Sequence, residues 1–126
     1  MERYHRKYKQ HRRNIPVSVR KKILKQLYHD ITNIANQNGI KLILIFGTLL
    51  GNIRENELIY YDYDLDFGVI GNKNDLKNLY KILKHKLNSK YHIKYFKIPL
   101  IRKYKLKIEK QNLMLILIYF KKTTNI

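Results

Sequence analysis

The chain has no cysteine, and only nine of its 126 residues are acidic. Without cysteine, disulfides and thiolate metal sites are excluded, and nothing points to an oxidising compartment. Long apolar runs are missing as well. The longest, residues 113–120, has the length of a strand and falls far short of the ~20 residues a membrane span requires. The first residues are charged and lack the apolar core of a secretory signal, so a cytoplasmic location without a transmembrane segment is expected.

What is present is positive charge. Twenty-seven lysines and arginines give a net charge of +18 and a pI near 10.1. Such a field favours anionic partners: nucleic acid, nucleotides, phosphorylated glycans or an acidic membrane face. Abundant Lys, Ile, Asn and Tyr also fit an AT-rich coding sequence, which gives the charge a second origin. A hydrophobic content of 44% with 12% aromatics fits a globular domain, and the length fits one domain.

Residues 1–14 carry Arg3, Arg6, Lys7, Lys9, Arg12 and Arg13 with no apolar period. They read as a flexible basic arm, with Tyr4 and Tyr8 offering weak stacking potential toward nucleic acid. Residues 15–126 read as a single domain. Beyond Pro16, Ser18 is the expected N-cap of a helix whose buried stripe is Ile23, Leu27, Ile31 and Ile34, closed by Gly39. Residues 41–46 read as a buried strand, 49–54 as one or two helical turns, and 55–61 as a loop. Residues 62–70 alternate as a strand, with Gly71 and Asn72 turning the chain. Asn74 or Asp75 is the expected cap of a second helix burying Leu76, Leu79, Tyr80, Leu83 and Leu87. Lys84, Lys86 and Lys90 are expected on its solvated face. Strands follow at 91–97, 104–110 and 113–120, Pro99 separating the first two. The order predicts an α/β (α+β) domain, a mixed sheet flanked by helices.

Asp62, Asp64 and Asp66 alternate along one strand, so their carboxylates share a face. Three parallel carboxylates repel one another, and a hard divalent cation such as Mg²⁺ or Mn²⁺ relieves that repulsion. The alternative is an exposed edge strand whose acids pair with nearby lysines. Upstream, Gly47 and Thr48 end a strand before a helix, where free backbone N–H groups, a hydroxyl and the helix dipole suit a phosphate. The alternative there is a plain turn. The five histidines show no ligand spacing and are expected at the surface.

Together these segments resemble the LicD/fukutin family of the polymerase-β-like nucleotidyltransferase superfamily. The run Gly47, Thr48, Leu49, Leu50, Gly51, Asn52, Ile53, Arg54 matches the family's G-T-L-L-G-x-h-R, where h is hydrophobic. Ile59 to Asp66 matches I-P-W-D-x-D-h-D. The resemblance implies a nucleotidyltransferase-like fold and a metal-dependent phosphotransferase, moving a phosphoalcohol from a CDP-activated donor to a glycan hydroxyl. Asp64 and Asp66 would hold Mg²⁺ or Mn²⁺, Gly47 and Thr48 the phosphate oxygens. Arg54 would steady developing charge, and Asp62 would orient a metal-bound water or deprotonate the acceptor.

The sequence departs from the family at Glu57, where glycine is usual, and at Tyr60 and Tyr61, where proline and tryptophan are. More consequential is Ile116, which occupies the position of a third acidic ligand in the run 113–120. Glu109 is the substitute at hand, although a glutamate in a lysine-rich strand is ordinarily a solvated charge. These departures keep open a truncated or degenerate copy: a non-catalytic module binding nucleotide or nucleic acid through its basic surface. A third reading is another nucleotidyltransferase activity. Donor, acceptor and oligomeric state are not specified.

Overall fold

A computed structural model describes residues 15–45, 64–98 and 103–121 of the chain. Helix α1 spans Val17–Gln37, with Ile23, Leu24, Leu27, Ile31, Ile34 and Ala35 buried along one side, the stripe that helical spacing predicts. Its start differs from expectation. Pro16, not Ser18, is the N-cap: its extended backbone turns the carbonyl toward Arg20 N, 3.0 Å away, and no side chain caps the helix. At the other end Gly39 adopts φ +67°. Gly39 N reaches Asn36 O, and Ile40 N reaches Ala35 O at 2.8 Å. That paired closure requires a left-handed residue, which glycine adopts without strain.

Strand β1 is Leu42–Leu44, shorter than the apolar run that predicts it. Strand β2 is Asp64–Gly71. Helix α2 follows as Lys73–Leu87, and its N-cap is Asn72 rather than Asn74 or Asp75. Asn72 Oδ1 accepts from Asn74 N at 3.0 Å, while Asp75 Oδ2 accepts from Asn72 N at 2.9 Å. Asp75 therefore completes a capping box from inside the helix. Strands β3 (His92–Ile98), β4 (Lys103–Lys110) and β5 (Leu113–Lys121) complete the described elements.

The strands form one five-stranded mixed sheet in the order β1-β2-β5-β4-β3. Only β2 and β5 run parallel; the other neighbours are antiparallel. One face is apolar and covered. Leu65, Phe67, Val69, Leu106, Ile108, Leu115 and Leu117 are buried there with Leu76, Leu79 and Leu83 of α2 and the stripe of α1. Helix α1 packs on β5 and β2, helix α2 on β3 and β4. Tyr28 stacks on Phe67 with ring centroids 5.9 Å apart, fixing α1 over β2. The expected α+β class with a mixed sheet and flanking helices is the observed one. Among the described residues, no helix is long and apolar enough to cross a membrane.

A second tie joins α1 to the start of β3. Asp30 Oδ2 accepts from Tyr91 Oη at 2.6 Å and from Lys90 Nζ at 2.8 Å. Lys90 thus lies past the end of α2 and is ion-paired, rather than on the solvated face of that helix. Lys84 and Lys86 are exposed, as expected.

Candidate functional site: the sheet face of Asp64 and Asp66

Because side chains alternate across a strand, the face opposite the core is written in the same register. On β2 it carries Asp64, Asp66, Gly68 and Ile70. Their in-register neighbours on β5 are Met114, Ile116, Ile118 and Phe120. On β4, Glu109 lies beside Met114, Lys107 beside Ile116, and Lys105 beside Ile118. On β3, His92, Lys94 and Phe96 continue the same rows. No described helix covers this face, and Ile70, Phe96 and Phe120 are exposed on it.

Asp64 and Asp66 both face this side and are half-buried, while Leu65 between them points into the core. Two residues of strand separate their Cα atoms by ~7 Å, close enough for both arms to reach one cation. Strand β2 lies between β1 and β5, with β1 pairing along Phe67–Val69 and β5 along the whole strand. Strand β1 ends beside the pair: Ile45 N donates to Asp66 O at 3.3 Å. Ile45, the last described residue of this segment, thus lies at the level of Asp66. Gly47, Thr48, Arg54 and Asp62 themselves lie outside the described residues.

The ladder beyond the carboxylates is closely packed for identifiable reasons. A Cβ on Gly68 would stand 3.0 Å from Ile43 Cγ1 and from two ring atoms of Phe120. Glycine at this point lets the aromatic ring of β5 lie across β2. On the other face, Tyr119 Oη donates to Gly71 O at 3.3 Å, tying β5 to the end of β2.

Does this arrangement suit a divalent cation? Mg²⁺ is held by one or two carboxylates together with waters and substrate phosphates, not by an all-protein cage. Asp64 and Asp66 meet that demand as a pair. Among the described residues there is no group of three His, Cys, Asp or Glu able to hold a metal. The register explains this on the sheet: the neighbour of Asp66 on β5 is Ile116, the position where the family pattern would place an acid. Glu109 does not fill the gap. It stands in the row of Asp64 with Met114 between them, two strand spacings or ~10 Å away. Its Oε2 is 3.2 Å from Lys107 Nζ. His29, His85 and His92 are exposed and apart, whereas His5 and His11 lie outside the described residues.

Lys107 is the residue of this face that the sequence does not single out. Its one mark is its place in the alternation of Lys105, Lys107 and Glu109, and only the strand order brings it near Asp66.

The family model described as LicD/FKTN/FKRP, nucleotidyltransferase domain, matches residues 39–125. A comparison with curated proteins gives no match. The matched span covers well over half of the chain and includes every described strand. The chain belongs to that transferase family.

Proposed function

We propose that this LicD-family domain is a metal-dependent phosphotransferase that moves a phosphoalcohol, such as phosphocholine or ribitol phosphate, from a CDP-activated donor to a glycan hydroxyl. The observation that supports it is the placement of Asp64 and Asp66 together on the face of β2 opposite the core. In this reading Asp64 and Asp66 hold Mg²⁺ or Mn²⁺, which when bound neutralises charge on the donor diphosphate. Gly47 and Thr48 bind phosphate oxygens through backbone N–H groups and the hydroxyl. Arg54 steadies the leaving phosphate through its planar donor fork. The acceptor oxygen forms a bond to the donor's outer phosphorus, and the phosphoanhydride bond breaks. CMP leaves with the electron pair, and the hydroxyl proton passes to Asp62.

One observation favours a second reading, a non-catalytic module that binds nucleotide or nucleic acid through basic surface: Ile116 stands in register with Asp66. Binding experiments separate the two. A CDP-linked donor held at Asp64 and Asp66 requires the divalent cation, depends weakly on salt, and survives deletion of residues 1–14. Nucleic acid held by the +18 charge loses affinity steeply, by ~0.9 log units per log unit of salt for each phosphate neutralised. Tight metal-independent RNA or DNA binding that disappears with the arm, alongside no CDP-ligand binding, would overturn the transferase reading.

A further inference from the structure

The sheet face that carries Asp64 and Asp66 is electrically divided. Asp64 and Asp66 lie on β2, an apolar ridge of Ile116 and Ile118 follows on β5, and Lys105 and Lys107 lie on β4 with Lys94 beside Lys107 on β3. The row through the middle reads Asp66, Ile116, Lys107, Lys94. Among the described residues, Lys94, Lys105 and Lys107 thus stand on one side of the ridge with Glu109, and Asp64 and Asp66 on the other. Lys107 is held by a partner. Its side chain is 27% exposed, and its Nζ is 3.2 Å from Glu109 Oε2. Glu109 stands in the row of Asp64, so this pair draws the ammonium toward the carboxylate end of the face.

We infer that Lys107, positioned by Glu109, is a phosphate-binding residue of this site, supplying a positive charge across Ile116 from the carboxylate pair. The inference rests on the proposed function, because it takes the ligand to be a diphosphate with oxygens on a cation at Asp64 and Asp66. Backbones two strands apart are separated by ~10 Å, a gap that a diphosphate can bridge from a cation on one side to the long lysine arm on the other. Lysine suits the task because its ammonium is a point charge on a flexible stem, needing no fixed approach direction. Ile116 between the two sides offers no polar atom to compete for the phosphate. Glu109 then acts as a positioning residue and not as a metal ligand.

The probe is inorganic pyrophosphate, titrated calorimetrically into the full chain with and without Mn²⁺. Wild type binds pyrophosphate only with Mn²⁺. Lys107→Met weakens that binding about tenfold, the size of one charge-assisted contact, and leaves Mn²⁺ affinity undiminished. Lys107→Arg keeps most of the affinity. Lys25→Met, which removes the same charge from exposed helix α1, leaves pyrophosphate binding as in wild type. Matching melting curves confirm that the variants fold. Wild-type affinity in Lys107→Met would overturn the inference and leave the transferase reading standing. Equal losses in Lys107→Met and Lys25→Met would overturn it too, by showing a diffuse field effect. No Mn²⁺-dependent binding in wild type would bring down both.

Discussion

Asp66 on β2 and Ile116 on β5 are direct register partners on the same sheet face. A carboxylate at position 116 would therefore stand one strand spacing, ~4.8 Å between backbones, from Asp66. Ile116→Asp should convert the two-carboxylate face into a three-carboxylate one. Without metal the added charge repels Asp66, and the variant should melt below wild type. With Mn²⁺ it should gain more than wild type does, and its Mn²⁺ affinity should rise about tenfold or more, as one added ligand contact implies. Calorimetric titration of Mn²⁺ reads this directly; an unchanged affinity would mean that position 116 does not reach the cation.

The ring of Phe120 lies close over Gly68. Gly68→Ala places a methyl 3.0 Å from that ring and from Ile43 Cγ1, so both must shift. Overpacking of this kind costs ~1–3 kcal/mol, measurable as a lower denaturation midpoint with an unchanged slope. Gly68→Ala combined with Phe120→Leu should recover part of the loss. A double variant no more stable than the single one would show that the ring is not the obstacle.

The hairpin between β4 and β5 turns through Gln111 (φ 51°) and Asn112 (φ 65°), with Lys110 and Leu113 paired on either side. Two positive φ values in a two-residue loop define the turn that Asn-Gly fits best. Replacing the pair, Gln111→Asn with Asn112→Gly, should stabilise the protein by ~0.5–1 kcal/mol. Urea denaturation would reveal it, and a destabilised variant would contradict the turn geometry.

Tyr91 is 4% exposed and donates to Asp30 at 2.6 Å. Burial raises its hydroxyl well above the usual tyrosine value, and the hydrogen bond to Asp30 and that group's charge raise it further. The sign follows. A raised folded pKa means a contribution fully present below the unfolded value near ~10 and lost as pH climbs through the folded value. Tyr91→Phe should cost about 1.5 kcal/mol at neutral pH, and its deficit against wild type should shrink above pH ~10. A deficit that stays constant from pH 8 to 11.5 would contradict this.

Much of this fold is legible in the residues. Ile23, Leu27, Ile31 and Ile34 write α1 at helical spacing, and all four are buried. Strand ends at residues 92–98, 103–110 and 113–121 fall within a residue of the apolar alternation. The helix starts are less legible, for a local reason. Asn72, Asn74 and Asp75 are all good capping residues, and only the extended backbone of Asn72 decides among them. Ser18 has the right chemistry but sits one residue inside a helix that Pro16 has already begun. The structure sets Ile116, where the family resemblance leads one to expect an acid, in register with Asp66. The pairings of Asp30 with Tyr91 and of Lys107 with the Asp66 row lie beyond local pattern. The first joins residues 61 apart in the chain, and the second exists only because β5 inserts between β2 and β4.

Thermal unfolding with and without Mn²⁺ is the most direct test of a cation at Asp64 and Asp66. At a hundredfold excess over Kd a single site adds ~2.7 kcal/mol, a rise in Tm on the order of 10 °C for a domain of this size. Wild type should show that rise, and Asp64→Asn with Asp66→Asn should abolish it while folding normally without metal. A wild-type Tm unmoved by millimolar Mn²⁺ or Mg²⁺, or a gain that survives the double substitution, would contradict the metal site on which the proposed transfer depends.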